Sequence, residues 1–369
     1  MKNLLKRLLR LVLLIVIIIT VLILSINVPI TVISKDESQN TYENWMSETL
    51  SNDQLIIDTA MLGAHDAFTS DMTFFSKVDE SSADSIQTGL TGLLIKGLSY
   101  RQSKTQVSDI TTLLEMGVRY FDMRLSFNED CDCYMTAHTY FSTKAEDVLA
   151  DLESFLSTHP GEFVILDIQH VNGVDYTDMA AFNQVSSLFS DADLENYMID
   201  ETKALSQITY GDITDDGTRG GLIVLTKFDE SNPLFFSYQS SIRSAWANTD
   251  SIDSLNQFLD NEASLITAGE AMTGNQVSEN QQEIDSLSAF RVMQGVLTMQ
   301  MSVDGIIEGL RTWSLIERAI DANTSLIEND HFDTWLEAMP IVMVDYADSN
   351  HSDFLDKIMQ KIIDFNENL

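Results

Sequence analysis

The chain has 369 residues, the length of two average domains or one large barrel, and its 44% hydrophobic content with only 4 Pro excludes collagen-like and wholly disordered classes. Its 57 Asp and Glu outnumber 21 Lys and Arg, and this net charge of -36 excludes a nucleic-acid partner because nothing offsets phosphate repulsion. The two cysteines, Cys131 and Cys133, are too few for a disulfide scaffold or for a zinc site built of thiolates alone.

The N-terminus contains a long apolar segment. Residues 11–33 carry no charge, and a helix of this length covers about 34 Å, enough to cross a hydrocarbon core of about 30 Å. Four Lys and Arg precede the segment, so the positive-inside rule puts the N-terminus in the cytoplasm and the rest outside the cell. We predict a basic stub and one uncleaved transmembrane signal anchor over residues 1–34, with a cleaved signal peptide and secretion as the alternative.

Residues 35–369 are predicted to form one domain, because no fixed-period repeat or long Pro/Gly linker interrupts them. Short apolar runs typical of buried strands alternate with helical patterns, the clearest of which covers 144–158 and ends at Pro160. This alternation implies parallel strands, and the length predicts an α/β fold of the (β/α) barrel type. The predicted strands are 55–62, 118–125, 134–137, 163–168, 222–226, 295–299 and 341–344, whereas 230–290 is interpreted as helices and long loops.

Polar residues lie in or directly after several of these runs, where barrel enzymes carry their catalytic groups. Alternation along a strand puts Asp122 and Arg124 on one face. Two histidines, an arginine and carboxylates can cleave a phosphodiester without metal: a base takes a hydroxyl proton, an acid protonates the leaving oxygen, and a guanidinium holds the nonbridging oxygens. The candidates are His65, Asp66, Asp122, Arg124, His138, Asp167, Gln169 and Asp345.

Six segments also carry a resemblance to a known family. They are NWMS at 44–47, GAHD at 63–66, GVRYFDMRL at 117–125, the segment around His138, FLSTHPGEFVIL at 155–166 and IVMVDY at 341–346. In order and spacing they resemble the X domain of phosphatidylinositol-specific phospholipase C in its bacterial-type form, densely from about 44 to 169 and thinly afterwards. The resemblance implies a distorted TIM barrel that cleaves phosphatidylinositol in two steps through an inositol cyclic phosphate.

The resemblance also implies a role for each candidate. His65 would be the general base, assisted by Asp345, and His138 the general acid. Arg124 would stabilise the phosphoryl oxygens. The two carboxylates that would support this network are Asp66 and Asp122.

Metal and headgroup binding are addressed by the same resemblance. Eukaryotic members place a calcium ion where bacterial-type members place an arginine, so Arg124 implies that no metal or other cofactor is needed. Inositol-contacting basic positions of bacterial relatives fall near Gln169 and Phe228, which are uncharged, and Lys227 could substitute for them. We predict Lys227, Gln169 and Asp167 as substrate-binding residues, with an inositol lipid as the family default.

The leading hypothesis is therefore a membrane-anchored, outward-facing phosphodiesterase that acts on a phospholipid or glycolipid at a membrane surface. A metal-dependent glycerophosphodiester phosphodiesterase and a catalytically inactive extracellular binding module remain as alternatives. Asp122 could instead form a structural salt bridge to Arg124 or Arg119, and the two cysteines could be thiols or a labile disulfide. The histidines interpreted as structural or surface residues are His159, His170, His331 and His351.

Overall fold

The computed structural model describes residues 2–25, 40–82, 96, 99–200, 202–228, 232–270, 286–300, 314–349 and 351–369. The strands are β1 (Met61–Ala64), β2 (Val118–Asn128), β3 (Cys133–His138), β4 (Tyr140–Lys144), β5 (Phe163–Asn172), β6 (Gly221–Thr226), β7 (Phe235–Ser237), β8 (Ile242–Ala245), β9 (Phe290–Gln294) and β10 (Ile341–Val344). The helices are α1 (Lys2–Ser25), α2 (Trp45–Thr49), α3 (Ile110–Glu115), α4 (Ala145–Thr158), α5 (Met179–Asp191), α6 (Tyr210–Thr214), α7 (Tyr238–Ser241), α8 (Ile252–Thr267), α9 (Leu315–Glu328), α10 (Phe332–Ala338) and α11 (Phe354–Glu367).

Eight of these strands form one parallel sheet in the order β7-β6-β5-β2-β1-β10-β9-β8. The antiparallel hairpin of β3 and β4 pairs with the end of β2. No ladder joins β7 to β8 within the described part of the chain, so the sheet is a curved and open relative of a (β/α) barrel. The predicted α/β class with parallel strands is confirmed, and all carboxyl ends of the eight strands meet at one edge.

The helix predicted over 144–158 is confirmed as α4, which buries one apolar face against the sheet. It ends at Thr158 and is capped by His159, whose ring stacks on Phe155 with centroids 4.1 Å apart and whose Nδ1 lies 2.9 Å from the Phe155 carbonyl oxygen. Pro160 follows and cannot continue the helix. The interpretation of His159 as a helix-end residue is therefore consistent with its contacts.

Two of the strand predictions were wrong, and the interpretation of 230–290 as helices and long loops missed two strands. The run at 55–62 buries Ile56 and Ile57 in turns, and the strand begins only at Met61. The run at 295–299 follows β9 rather than forming it, and the Gly295 amide contacts the carbonyl of Met293, two residues back, at 3.1 Å as the strand ends. The 230–290 region holds β7 and β8 besides helix α8, and strands of three and four residues are too short for alternation to reveal them.

A buried ion pair lies at the amino end of the sheet. Arg119, at the start of β2, donates to Glu162 with Nε–Oε2 and Nη2–Oε2 distances of 3.0 and 2.8 Å. The remaining Arg119 donors meet backbone carbonyls, including that of Leu114 at 2.7 Å, and both side chains are 0% exposed. Glu162 also accepts from the Ser47 amide of α2. The pair fixes α2 and the start of β2 to the start of β5.

The predicted transmembrane anchor lies only partly within the residues that the structure describes. Residues 11–25 of the predicted span form the end of α1, whereas residues 26–33, and the boundary at residue 34, lie outside the described ranges. Within those ranges, none of the helices combines the length and apolarity that crossing a membrane requires.

Candidate active site

The site is built where β1 and β10 end side by side. Ala64 and Val344 are partners in the parallel ladder, so the residues that follow them, His65 and Asp345, emerge next to each other. The His65 Nδ1 lies 2.7 Å from the Asp345 Oδ1, and the His65 amide donates to the Val344 carbonyl at 3.0 Å. This is the predicted pairing of a histidine with an assisting carboxylate.

Two carboxylates control the ionisation of His65. Burial disfavours the imidazolium, but the charges of Asp66 and Asp345 outweigh it and raise the pKa of His65 to about 9. In the ligand-free site at neutral pH, His65 is therefore protonated.

Asp66 lies at the centre of the cluster. Its Oδ2 is 3.5 Å from the His65 Nε2 and 3.2 Å from the His138 Nδ1, while its Oδ1 forms an ion pair with the Arg124 Nε. Burial alone would raise its pKa, but Arg124 and the two histidines hold that pKa well below its usual range. An ionised carboxylate therefore contacts both predicted catalytic histidines and Arg124.

His138 ends β3 and is held differently from His65. Its Nδ1 lies 2.8 Å from the carbonyl oxygen of Ser103, which can only accept, so Nδ1 carries the hydrogen and Nε2 is the titrating nitrogen. Burial lowers the pKa of His138, and the charges of Arg124 and His65 lower it further against the opposing effect of Asp66. In the ligand-free site His138 is the neutral imidazole of the pair.

Asp122 joins Arg124 to the strand ends. Its Oδ2 accepts from the Arg124 Nη2 at 3.4 Å and from the Asp66 amide at 3.2 Å, and its Oδ1 accepts from the Gln169 Nε2 at 3.2 Å. Of the two salt bridges considered for Asp122, the structure has the one to Arg124, because Arg119 faces Glu162 at the other end. The Arg124 side chain keeps 25% exposure and remains open to a ligand.

The predicted substrate-binding residues adjoin this cluster. Lys227 places its Nζ 4.7 Å from the centre of the Tyr238 ring, and the Tyr238 hydroxyl donates to the Gln169 Oε1 at 3.3 Å. Burial lowers the pKa of Lys227 against the pull of Asp167. Gln169 thus links Tyr238 to Asp122, where bacterial relatives were expected to have a cation.

Asp167 is a buried carboxyl group on the same face of the sheet. Its Oδ2 accepts from the Tyr120 hydroxyl at 2.6 Å, and no hydrogen-bond partner reaches Oδ1 among the described side chains. Burial, reinforced by the nearby charge of Asp122, raises the pKa of Asp167 to about 8. At neutral pH the group is a protonated acid with one unused oxygen.

One group of side chains in the described ranges could hold a metal ion. Ligand atoms of His65, Asp66 and Asp122 lie within 4.8 Å of one another. Arg124 forms ion pairs with both carboxylates, so a divalent cation placed among them would meet a guanidinium. The donor set therefore fits an arginine-containing phosphate site better than a metal site.

His170 lies beside the site, although the sequence analysis interprets it as a structural or surface residue. Asp122 pairs with Asp167 and Arg124 pairs with His170, so β5 carries one extra residue between the two pairs. This bulge shifts the alternation of β5 and puts His170 next to Arg124 on the shared face. Burial and the charges of Arg124 and Lys227 lower its pKa to about 4. A register shift of this kind leaves no signal in the sequence.

The remaining predictions concern residues away from the site. His331 contacts Asp260, with 2.7 Å between Nδ1 and Oδ1, which is consistent with a surface role. Cys131, in the turn after β2, and Cys133, the first residue of β3, form a disulfide, which is one of the two states that the sequence leaves open.

Comparisons with known proteins agree with the motifs. No family model matches the chain. Over 149 residues it is 32% identical to PI-PLC X domain-containing protein 3 of Danio rerio, an alignment that covers 38% of this chain and 46% of that protein. Over 142 residues it is 34% identical to the variant-surface-glycoprotein phospholipase C of Trypanosoma brucei brucei, covering 36% of this chain and 40% of that protein. The chain thus spans less than half the length of these curated relatives.

The fold has solved counterparts as well. The structure of phosphatidylinositol-specific phospholipase C from Listeria monocytogenes superposes with a TM-score of 0.57 at 16% identity, over 89% of this chain and 99% of that one. At this identity the likeness concerns the fold alone. In sequence and in fold, the chain resembles phosphatidylinositol-specific phospholipase C, and the resemblance indicated by its strand-end motifs is confirmed.

Proposed function

We propose that this chain is a phosphodiesterase that cleaves phosphatidylinositol, or a related phospholipid or glycolipid, by histidine acid-base catalysis. One observation carries the proposal: His65 and His138 contact the same oxygen of Asp66, and Arg124 pairs with the other. A base, an acid and a phosphate-binding cation are therefore gathered around one carboxylate. The names of the relatives, a phospholipase C among them, support the same substrate class.

In the proposed reaction, neutral His65 takes the proton of a headgroup hydroxyl next to the phosphate. That oxygen attacks phosphorus, the bond to the lipid oxygen breaks, and protonated His138 gives its proton to the leaving oxygen. The products are a cyclic phosphate and a lipid alcohol. In the second step the roles reverse and water opens the cyclic phosphate.

Arg124 is the proposed electrostatic contributor. Its guanidinium is oriented by Asp66 and Asp122 and keeps a quarter of its surface exposed, so it can hold the nonbridging oxygens as charge builds on them. Asp345 orients the His65 ring through Nδ1, which leaves Nε2 as the atom that exchanges the proton.

The proposed roles require the proton to move between the imidazoles. The ligand-free site has it on His65, whereas catalysis begins with His65 neutral and His138 protonated. A phosphodiester bound at Arg124 brings a negative charge beside His138 and so favours protonation of that ring. Substrate binding therefore supports the productive distribution of a single proton.

The headgroup-binding proposal rests on the side chains beyond Arg124. The unused Asp167 oxygen, the ammonium of Lys227 and the amide of Gln169 are a donor and acceptor set for vicinal hydroxyl groups. We expect a hydroxyl-rich headgroup to bind there.

Membrane anchoring and an outward-facing domain are proposed from the sequence alone. Residues 11–33 carry no charge and are mostly apolar, and basic residues precede them. The proposal requires residues 26–33 to extend the apolar helix. Carbonate extraction of cell membranes followed by protease treatment of intact cells tests it: release by carbonate contradicts the anchor, and protection from protease contradicts the orientation.

The activity is tested by incubating the protein with labelled phosphatidylinositol and a panel of other phospholipids, with and without a chelator. We expect a cyclic phosphate that forms equally in both conditions. Chelator-sensitive release would favour a metal-dependent glycerophosphodiester phosphodiesterase, and no cleavage across the panel would favour a binding module.

Variants of the two histidines provide the mechanistic test. His65→Ala and His138→Ala should each lower kcat at least about 10³-fold, because each removes one proton-transfer partner from the cluster. His331→Ala is the matched control, since His331 also pairs with an aspartate but lies far from the strand ends that form the site. Retained cleavage in either site variant, with the fold intact, would contradict the acid-base pair.

A further inference from the structure

Four consecutive residues, Ser103 to Gln106, cross the carboxyl edge of the sheet between the ends of β1, β3 and β10. All four are buried, with Thr105 and Gln106 at 0% exposure. We name them the 103–106 strap. The sequence predicts neither a helix, a strand nor a catalytic group here.

The strap contacts both halves of the proposed acid-base pair. The Ser103 carbonyl accepts from His138 Nδ1 at 2.8 Å, and the Thr105 hydroxyl donates to the Asp66 carbonyl at 2.7 Å. One short segment therefore holds the acid histidine and the residue after the base histidine. The spacing between the two imidazoles depends on this segment as well as on the sheet.

Gln106 joins the strands that carry His65 and Asp345. Its Nε2 donates to the carbonyls of His65 and Val344 at 3.1 and 3.0 Å, and its Oε1 accepts from the Ala347 amide at 3.0 Å. All the hydrogen-bonding atoms of this amide group are therefore directed at the chain on either side of the His65–Asp345 contact.

The same contacts support a strained backbone. Asp66 and Tyr346, which directly follow His65 and Asp345, have φ values of 41° and 51°, a region that residues other than glycine rarely adopt. Such conformations persist where surrounding contacts determine them. The strap supplies those contacts, because Thr105 bonds the Asp66 carbonyl and accepts from the Tyr346 amide, and the Lys104 carbonyl accepts from the Tyr346 hydroxyl.

We propose that the 103–106 strap, and Gln106 above all, is the positioning element that sets the geometry of the His65–Asp345 pair and its distance from His138. It acts through other residues, since Gln106 is fully buried and the hydrogen bonds of its side-chain amide, among the described residues, all go to backbone atoms. The inference rests on the proposed function for its catalytic consequence, but its structural content can be measured without any substrate.

The main test replaces Gln106 by an apolar residue of similar length, Gln106→Met, which removes the three hydrogen bonds. Gln54→Met is the matched control: Gln54 is also buried and donates to Asn366 at 2.9 Å, but it lies at the amino end of the sheet. We expect similar shifts in the urea unfolding midpoint for both variants. Only Gln106→Met should lower kcat, by about 100-fold and with little change in KM, since displaced catalytic groups cost rate rather than binding.

A substrate-free measurement separates this inference from the proposed function. In an NMR titration, the pKa of His65 should fall from about 9 towards its ordinary 6.5 in Gln106→Met, because the ring moves away from Asp66 and Asp345, and should stay unchanged in Gln54→Met. If the wild-type protein cleaves no phosphodiester, the proposed function fails and this titration still tests the strap. An unchanged His65 titration in folded Gln106→Met would overturn the inference.

A milder variant covers the case in which Gln106→Met does not fold. Thr105→Val keeps the side-chain shape and removes the hydroxyl that bonds the Asp66 carbonyl, whereas Thr105→Ser keeps that donor. The Thr105 hydroxyl also contacts the Thr69 hydroxyl at 2.9 Å. We expect Thr105→Val, which removes both contacts, to lower kcat about tenfold, and Thr105→Ser, which keeps the hydroxyl, to retain the wild-type kcat. Equal activities in the two variants would count against the strap.

Discussion

Two arginines on strand β2 differ in how fully the protein buries and pairs their guanidinium groups. Arg119, near the start of β2, is 0% exposed, and Glu162 and backbone carbonyls accept from its guanidinium. Arg124 lies five residues further on and contacts Asp66 and Asp122, yet keeps 25% of its side chain exposed. The amino end of the sheet therefore holds a closed ion pair, and the carboxyl end holds a cation that can still accept an anionic ligand.

The difference shows that charge pairing alone does not identify a site. Both arginines are bonded to buried carboxylates, but only Arg124 is surrounded by imidazoles whose pKa values are displaced in opposite directions. A closed pair contributes to the folded state through the cost of breaking it. An ion pair that stays partly exposed beside titratable groups can take part in catalysis.

Of the two arginines, the one at the open end should give the larger effect on activity. Arg124→Lys replaces a planar fork by a point charge that cannot face Asp66, Asp122 and a phosphate together, so kcat should fall about 10²- to 10³-fold. Arg119→Lys is the matched control on the same strand and should retain kcat per folded molecule. Initial rates on phosphatidylinositol vesicles measure both variants. Full activity in Arg124→Lys would contradict the proposed difference between the two ends of the sheet.

Substitutions in the buried ion pair at the amino end of the sheet should change the stability of the fold rather than the activity. Glu162→Gln leaves the Arg119 charge buried without its counter-ion, and we expect the free energy of unfolding to fall by about 3–5 kcal/mol. Asp333→Asn, in the exposed pair with Lys361, should cost less than about 1 kcal/mol. Urea unfolding measures these changes. A large loss of kcat in folded Glu162→Gln would show that the amino end is not merely structural.

A smaller expected effect is the pH dependence of kcat/KM, which the two histidines at the carboxyl end of the sheet should determine. The working state carries one proton on the histidine pair, so kcat/KM should fall about tenfold per unit above pH 9, as His65 loses its proton, and again below the lowered pKa of His138. Asp345→Asn removes a charge that raises the pKa of His65, so the alkaline limb should move to lower pH. An alkaline limb that stays in place would contradict the role of Asp345.

The strand-end cluster was predictable because it depends on topology. Apolar runs followed by GAHD and by VDY, in a chain that alternates strands and helices, bring His65 and Asp345 to one edge of a parallel sheet. Alternation along β2 likewise put Asp122 and Arg124 on one face. These inferences use only the periodicity of strands and the common direction of parallel ones, both of which are written locally in the sequence.

Other features depended on contacts between distant segments. The bulge that brings His170 beside Arg124 arises from the register between β2 and β5, and the role of Gln106 arises from carbonyls more than 40 positions before it and 200 positions after it, at His65 and Val344. Neither leaves a periodic signal, because hydrogen bonds across the sheet edge are set by packing rather than by neighbours in the chain.

The sequence by itself determined the parallel α/β class, the positions of half of the ten described strands and the chemical groups at their ends, because hydrophobic periodicity and residue type act over a few residues. Only the tertiary structure decided which arginine is fully paired with buried acceptors and which stays partly exposed. It also decided which of the two histidines holds the proton. Those properties follow from burial and from charges that come together only when the chain has folded.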